Sequence, residues 1–171
     1  MPIVTAYDGQ PLEHVITLAK EYVAWMVAEI VRQYPELQLA EFTSEHEYDD
    51  VRKKFPGEHV PPHGCLLLAT DGQQAAGCIA VGRLEAGICE LRTLFVRPAY
   101  RGKGIGHQLV DAALSEARNM NYRRARLDTL GFMIGAQTLY RAYGFTDIPP
   151  YLPLSEDLRR YIHFMELTLQ Y

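Results

Sequence analysis

Hydrophobic and polar positions along the chain follow two periods, and each period predicts a different kind of secondary structure. Apolar residues recur every three or four positions in several long segments, a spacing that gives a helix one apolar face. Shorter apolar runs end at glycines or other turn residues, as strands do. Helices are predicted at residues 12–32, 44–54, 104–120 and 134–143, the second of them from the capping pair Ser44 and Glu47. Strands are predicted at residues 3–6, 65–70, 75–84, 88–96, 124–130 and 161–169.

The order of these elements predicts the fold class. Short links that contain glycine join the strands at 65–70, 75–84 and 88–96, which predicts an antiparallel meander. Strand 88–96, helix 104–120 and strand 124–130 form a right-handed crossover, so these two strands should be parallel. The chain is therefore predicted to be α+β, a single domain over residues 1–171 with a mixed, mostly antiparallel sheet flanked by helices.

The composition narrows the classes of function. The chain has 21 acidic and 17 basic residues, and this balance argues against a surface that coats nucleic acid. Six scattered histidines without an H-x-x-x-H pair, and three cysteines without a C-x-x-C pair, predict no metal site. Cys65, Cys78 and Cys89 lie in apolar runs and are expected to be buried and reduced. No segment resembles a signal peptide or a membrane span, so a soluble, cytoplasmic protein is expected.

The stretch LFVRPAYRGKGIG leaves an apolar strand, passes through a proline and sets three glycines at alternate positions before a helix. The first amides of a helix have no intrahelical acceptor and carry partial positive charge, so they bind anions. Gly102, Gly104 and Gly106 leave the backbone open to a bulky group. Arg101 and Lys103 add full positive charges. The stretch therefore predicts a pyrophosphate site.

Three ligand classes compete for this pyrophosphate site. No G-x-x-x-x-G-K-[ST] segment is present, which excludes a P-loop. A dinucleotide site, and with it an oxidoreductase, needs G-x-G-x-x-G directly after its strand and an acidic residue about 20 positions on. Asp128 meets the last requirement, but the glycine spacing and the antiparallel meander do not fit. This alternative ranks below the third class, coenzyme A.

Two segments are similar to the signatures of the GNAT superfamily of acyl-CoA-dependent N-acyltransferases. The first is the apolar strand end 94–96, a short link and then residues 101–106, which match [RQ]-x-x-G-x-[GA]. The second is residues 136–145, which match A-x-x-L-Y-x-x-x-G-F. Both stand in the order and spacing of the family, and the resemblance covers roughly residues 88–145. Met133 stands where the family often has asparagine, so a polar contact is expected to be missing there.

The resemblance implies a three-layer GNAT-like fold in which acetyl-CoA binds as co-substrate. Its pantetheine would lie beside the end of strand 88–96, with the Leu94 amide directed at the thioester oxygen, and its phosphates would lie at the glycines. The cofactor-binding residues would then be Leu94, Phe95, Val96, Arg101, Gly102, Lys103, Gly104, Ile105, Gly106 and His107.

The resemblance also implies two catalytic residues. It gives the Tyr140 hydroxyl the role of general acid toward the departing thiolate. Glu90 is the candidate general base, because it lies in an apolar strand four residues before Leu94, where some members of the family carry a base. A structural glutamate paired with Arg92 is the alternative interpretation of the same residue.

The predicted function is an N-acetyltransferase that moves the acetyl group of acetyl-CoA directly to a primary amine of a small molecule, peptide or protein. A catalytically silent CoA-binding module of the same fold is the alternative from another class. The acceptor is expected beside the first two helices, the loop 55–64 and the segment 151–157. No metal, nucleic acid or membrane partner is expected. Homodimers are common in such folds, and the sequence leaves the oligomeric state open.

Overall fold

A computed structural model describes residues 1–37, 47–154 and 156–169 of the chain. Over these residues the chain forms a seven-stranded sheet with helices on both faces. The strands are β1 (Ile3–Thr5), β2 (Cys65–Asp71), β3 (Gln74–Glu85), β4 (Ile88–Val96), β5 (Arg124–Leu130), β6 (Thr146–Ile148) and β7 (Ile162–Thr168). The helices are α1 (Gly9–Gln33), α2 (Glu47–Lys54), α3 (Ile105–Asn119), α4 (Ile134–Ala142) and α5 (Glu156–Arg159).

The sheet has the strand order β1-β2-β3-β4-β5-β7-β6. β4 and β5 are parallel, and every other neighbouring pair of the described strands is antiparallel. The parallel pair arises because α3 carries the chain back along the sheet between β4 and β5. The predicted α+β class, with its meander and its parallel crossover, is therefore confirmed.

Each face of the sheet has its own hydrophobic core, since successive residues of a strand point to opposite faces. In β2, Leu67 packs into the cluster that contains Leu109 of α3. Its neighbours Leu66 and Leu68 pack into the cluster that contains Leu18 of α1. The helices α3 and α4 thus cover one face, and α1 and α2 cover the other.

The predicted elements agree closely with the structure, which adds β6, α5 and a 3-10 turn at Pro98–Tyr100. β4 and β5 occupy the residues predicted for them. β6 and α5 have no counterpart among the predicted elements, because each of them contains a single apolar residue and so shows no hydrophobic period. The predicted start of the second helix at Ser44 lies outside the described residues. That residues 1–171 form one domain stays a prediction.

The three cysteines are buried free thiols, as predicted. Burial raises the pKa of Cys65, Cys78 and Cys89 to about 12, so the thiols keep their protons at neutral pH. Among the described helices, none combines the length and the apolar character that a membrane crossing requires.

Candidate functional site

The sheet opens between β4 and β5. Their parallel pairing begins at Ile88 beside Arg124 and ends at Glu90 beside Arg126, and the described residues beyond form no further pair between these strands. β5 continues instead along β7 as far as Leu130. A gap therefore lies between the C-terminal ends of the two parallel strands.

A bulge in β4 changes the course of its backbone at this gap. Between the pairs Cys78–Phe95 and Ala80–Arg92, one residue of β3 lies opposite two residues of β4, Thr93 and Leu94. Thr93 has a φ of 53°, a left-handed conformation that β-branched residues rarely adopt. Thr93 and Leu94 have no paired residue on β3 or β5 within the described registers. Because bulges interrupt the ladder and redirect groups of the strand, the Leu94 backbone is available to a ligand.

A cleft of about 720 Å³ lies beside the opened sheet. Its walls are the end of β4, the glycine turn with the first residues of α3, the start of α4, and Tyr22 and Trp25 of α1. Nine of the ten residues predicted to bind the cofactor line this cleft: Leu94, Phe95, Val96, Arg101, Gly102, Gly104, Ile105, Gly106 and His107. Lys103 is the exception, and its Nζ lies 5.1 Å from the centre of the Tyr100 ring. The fold thus gathers the predicted residues, and their binding role stays a prediction.

The glycine turn has an unusual backbone and open space in front of it. Gly102 and Gly104 both have a φ of 75°, a left-handed conformation that costs other residues roughly 1–2 kcal/mol. A Cβ atom added at either glycine would meet no protein atom within 4 Å. Gly104 is the N-cap of α3, which begins at Ile105, one residue after the start predicted for this helix. The first residues of α3, whose amides lack an intrahelical acceptor, line the cleft.

The two arginines near the glycine turn have different surroundings. Arg101 donates from Nε to the Val96 carbonyl at 3.0 Å, and its guanidinium lies 5.5 Å from the centre of the Trp25 ring. Its charge therefore stands within the large cleft. Arg97 instead donates to both carboxylate oxygens of Glu21, at 2.7 and 2.8 Å. This ion pair ties the end of β4 to α1.

A second cleft of about 130 Å³ occupies the gap where β4 and β5 part. It shares Tyr22, Leu94, Met133 and Ala136 with the large cleft, so the two clefts adjoin. The polar residues of its lining are Tyr22, Arg92, Thr93, Asp128, Thr129 and Tyr140. Leu94 therefore stands between the large cleft and the small cleft.

Tyr140, the predicted general acid, is only 6% exposed. Its ring packs against Phe145, with the ring centres 5.5 Å apart. Its hydroxyl forms no hydrogen bond with any group in the described part of the chain. Burial raises the pKa of Tyr140 above its ordinary value, and the nearby Tyr22 and Asp128 raise it further. The phenol therefore keeps its proton at neutral pH, and that proton is free to be donated into the small cleft.

Glu90, the predicted general base, is buried in an ion pair. The Tyr151 hydroxyl donates to its Oε1 at 2.6 Å, and Arg92 donates from Nε to its Oε2. Arg92 also donates from Nη1 to Glu58. Glu90 itself is 3% exposed and lines neither of the two clefts. The geometry matches the alternative interpretation of Glu90 as a paired carboxylate, and its role as a base stays a prediction.

Asp128 is the carboxylate that lines the small cleft. Its side chain is accessible through the cleft, and within the described residues its hydrogen bonding is limited to its own backbone amide. The protein around it still displaces much of its water. This desolvation, together with the negative charge of Glu90, raises the pKa of Asp128 to about 6, although Arg92 acts in the opposite direction. A carboxylate of this kind is suited to accept a proton near neutral pH.

In the sequence, Asp128 stands out only as the acidic residue that a dinucleotide site would need. The sequence also contains a second signal for this site: Arg126 and Asp128 stand two positions apart on β5, as Glu90 and Arg92 do on β4. Glu90 and Arg126 lie side by side in the register of the two strands, so these four charged side chains belong to one region of the sheet. Their meeting depends on the strand register, which the sequence alone did not supply.

Met133, where the family signature often has asparagine, is the N-cap of α4. Its sulfur accepts a hydrogen bond from the Thr129 hydroxyl at 3.5 Å. The turn before α4 is held by Gln137, whose amide nitrogen donates to the carbonyls of Leu130 and Gly131 at 3.1 Å each. Met133 lines both clefts and therefore presents an apolar side chain to each of them.

The histidines are dispersed. In residues 1–37, 47–154 and 156–169, no three His, Cys, Asp or Glu side chains are grouped as metal ligands would be. His59 is buried, with Nδ1 3.2 Å from the Val81 carbonyl, and burial lowers its pKa. His107 lines the large cleft, and its carbonyl accepts a hydrogen bond from the Tyr143 hydroxyl at 3.0 Å.

Comparison with known proteins identifies relatives of the chain. The model of the acetyltransferase (GNAT) family matches residues 25–145. An uncharacterized N-acetyltransferase of Schizosaccharomyces pombe is 38% identical over 96 residues, which are 55% of this chain and 59% of that protein. An uncharacterized N-acetyltransferase of Escherichia coli is 33% identical over 90 residues, which are 52% of this chain and 54% of that protein. The chain thus spans little more than half the length of these curated relatives.

Solved structures show the same fold. The PaiA N-acetyltransferase of Thermoplasma acidophilum, in complex with coenzyme A, superposes with a TM-score of 0.70 over 98% of this chain and 99% of that one. The two chains are 20% identical, and at this level the likeness concerns the fold alone.

Proposed function

Because the chain belongs to the acetyltransferase (GNAT) family, we propose that it transfers the acetyl group of acetyl-CoA directly to a primary amine. The family and the acyltransferase class that the sequence predicts are confirmed by the family match. The observation that carries the proposal is the meeting of two clefts at Leu94, with an open glycine turn in one and Tyr140 and Asp128 in the other.

The glycine turn fits a diphosphate group. The space in front of Gly102 and Gly104 is empty of protein atoms, and the unpaired first amides of α3 border it, as in other anion sites at helix N-termini. Arg101 supplies a full positive charge in the same cleft. To reach a phosphate, its guanidinium would leave the Val96 carbonyl that it now contacts.

The end of β4 fits the amide-containing arm of coenzyme A. Because β4 and β5 do not pair beyond Glu90, the backbone near Leu94 can receive an extended ligand as an added strand. The Leu94 amide would then donate to the thioester oxygen as negative charge develops on it. One such donor in an oxyanion hole typically lowers the barrier by about 3 kcal/mol.

Two residues of the small cleft would move the protons. The nitrogen of the amine bonds to the acetyl carbon while the bond from that carbon to sulfur breaks. Asp128 accepts the proton that the nitrogen loses, and the Tyr140 hydroxyl donates its proton to the sulfur. We assign the base to Asp128 rather than to Glu90, because Asp128 lines the cleft and its carboxylate is open, whereas donors occupy both oxygens of Glu90.

The proposed reaction is tested by release of free thiol from acetyl-CoA across a panel of primary amines, with the acetylated products identified by mass spectrometry. We expect thiol release to depend on the amine and to equal the amount of acetylated product. A protein that binds acetyl-CoA but releases thiol with none of the amines would contradict the proposal. It would instead be the silent CoA-binding module.

A further inference from the structure

The charges around the small cleft bear on the kind of amine that could enter it. Arg92 is the cation of its lining, but two carboxylates already engage its guanidinium: Glu90 at Nε and Glu58 at Nη1. Asp128 adds a third carboxylate, which lies in the cleft itself. The local charge is therefore negative in spite of the arginine.

The next cation along the sheet is neutralised in the same way. Arg126 donates from Nε to Glu166 at 2.7 Å and from Nη1 to Glu85 at 2.9 Å. Its guanidinium also lies 5.3 Å from the centre of the Tyr151 ring, the residue that donates to Glu90. Arg92 and Arg126 are thus both engaged by carboxylates of the protein, which weakens their attraction for an anionic ligand.

A second feature of the small cleft, independent of these charges, points to a ligand. The Tyr140 hydroxyl belongs to a side chain that is more than nine-tenths buried, lines the cleft and has no hydrogen-bond partner in the described part of the chain. A buried hydroxyl without a partner costs free energy unless a bound molecule supplies one. The small cleft is therefore built to hold a polar group, and its negative surroundings favour a cationic or neutral one.

We propose that the acceptor is a small amine without a carboxylate beside its reacting nitrogen, that is, an alkylamine or arylalkylamine rather than an α-amino acid. This inference rests on the proposed acetyl transfer. The ammonium form of such an amine is attracted to Asp128. It loses one proton to solvent to become the reactive neutral amine, and Asp128 accepts the second proton, which the nitrogen loses as it attacks. An α-carboxylate would be carried into the same small space and would face Asp128 together with the two carboxylates that already occupy Arg92, so like-charge repulsion would exclude it.

Matched acceptors test the inference. Two sets are compared, phenethylamine with phenylalaninamide and phenylalanine, and isoamylamine with leucinamide and leucine. The value of kcat/KM, expressed per unprotonated amine, is measured for each. Within a set, we expect the amine and the amide to react similarly and the amino acid to react at least about tenfold more slowly, because only the carboxylate carries a charge. The amide controls for size, since it has nearly the shape of the carboxylate.

The outcomes separate this inference from the proposed function. Equal rates for the amide and the amino acid, or faster reaction of the amino acid, would overturn the inference while the acetyl transfer stands. A slow amide would also overturn it, because size rather than charge would then exclude the amino acid. If none of the amines leads to thiol release, both the proposed function and the inference are overturned.

A variant with one charge removed tests whether the Arg92 ion pairs cause the preference for the amine over the amino acid. Glu58→Gln frees Arg92 from one of its two carboxylates, so we expect the preference for the amine over the amino acid to fall by about threefold, as suits a half-exposed charge. Glu13→Gln is the matched control, because Glu13 is equally exposed at 53% and pairs with Arg52, away from both clefts. An equal preference in both variants would contradict the role given to the Arg92 ion pairs.

Discussion

The large cleft and the small cleft adjoin, yet the chain builds them in different ways. The large cleft owes its character to main-chain features: the left-handed glycines, the first amides of α3 and the interrupted pairing of β4. The small cleft owes its character to side chains from four elements, with Tyr22 on α1, Arg92 on β4, Asp128 on β5 and Tyr140 on α4.

This difference explains why the cofactor-binding residues of the large cleft could be predicted from the sequence, whereas most residues of the small cleft, apart from Leu94 and Tyr140, could not. A backbone conformation such as that of Gly104 depends on its own residue and its neighbours, so a short contiguous motif records it. The meeting of Arg92 with Asp128 depends on where two strands stop pairing. Binding of the cofactor would thus belong mainly to the large cleft, and the proton transfers and the choice of acceptor to the small cleft.

The backbone origin of the large cleft is tested by Gly104→Asp, the variant with the largest expected effect. A carboxylate at the N-cap of α3 would occupy the open space and repel phosphate, so we expect calorimetry to detect no binding of acetyl-CoA. Gly87→Asp is the matched control, because Gly87 has the same φ of 75° and equally open surroundings on the β3–β4 turn. If both variants lose acetyl-CoA binding equally, backbone strain rather than repulsion of the phosphate explains the loss.

The side-chain origin of the small cleft is tested by Asp128→Asn. At pH 7 we expect kcat/KM to fall about 100-fold, as for other general bases. Asp128 has a pKa of about 6, so it is ionised above that pH and protonated below it. The wild-type kcat/KM, expressed per unprotonated amine, should therefore fall as the pH drops through about 6, and this fall should be absent from the variant. Persistence of the fall in the variant would return the role of base to Glu90 or another group.

The same variant has an expected effect on stability that does not involve catalysis. Because the folded state raises the pKa of Asp128, the wild type loses stability as the pH rises from about 4 to about 6 and the partly desolvated charge forms. Asp128→Asn should thus raise the free energy of unfolding at pH 7. The gain should vanish below about pH 4, where the wild-type carboxyl is neutral in both states. A variant less stable than the wild type at pH 7 would contradict this account of the pKa.

Tyr140→Phe distinguishes catalysis from cofactor binding. The variant keeps the buried ring and removes a hydroxyl that has no partner among the described groups, so we expect kcat to fall by about tenfold or more with the dissociation constant for CoA unchanged. Tyr143→Phe, three residues later on the helix C-cap, is the control. Its hydroxyl bonds to Asp111 and to the His107 carbonyl, and its loss should leave kcat nearly unaltered. Equal turnover in the wild type and Tyr140→Phe would show that Tyr140 is not the general acid.

Glu21→Gln is expected to have the smallest effect. The Arg97–Glu21 pair is partly exposed, with the two side chains 25% and 40% accessible. Its weakening should lower the free energy of unfolding by about 0.5–1 kcal/mol, without a change in CoA affinity. Thermal unfolding and calorimetry measure the two quantities. Weaker CoA binding would show that Arg97 belongs to the large cleft after all.

Particular residues show where prediction from the sequence ends. The residues of β4 could be predicted because nine mostly apolar positions lie between two turns, and α4 because its apolar positions repeat before Gly144. The bulge at Thr93 could not be predicted, since no sequence signal requires a threonine to take a φ of 53°. The Tyr151 hydroxyl on Glu90 joins residues 61 positions apart, and only the packed fold brings them together.

A crystal structure of the protein with CoA or a non-reactive acetyl-CoA analogue tests the central claim most directly. We predict that the diphosphate lies within hydrogen-bond distance of the amides of Ile105 and Gly106, and that the sulfur end reaches Leu94 at the edge of the small cleft with the Tyr140 hydroxyl facing it. A nucleotide bound elsewhere, or a thioester end directed away from Leu94 into solvent, would contradict the account.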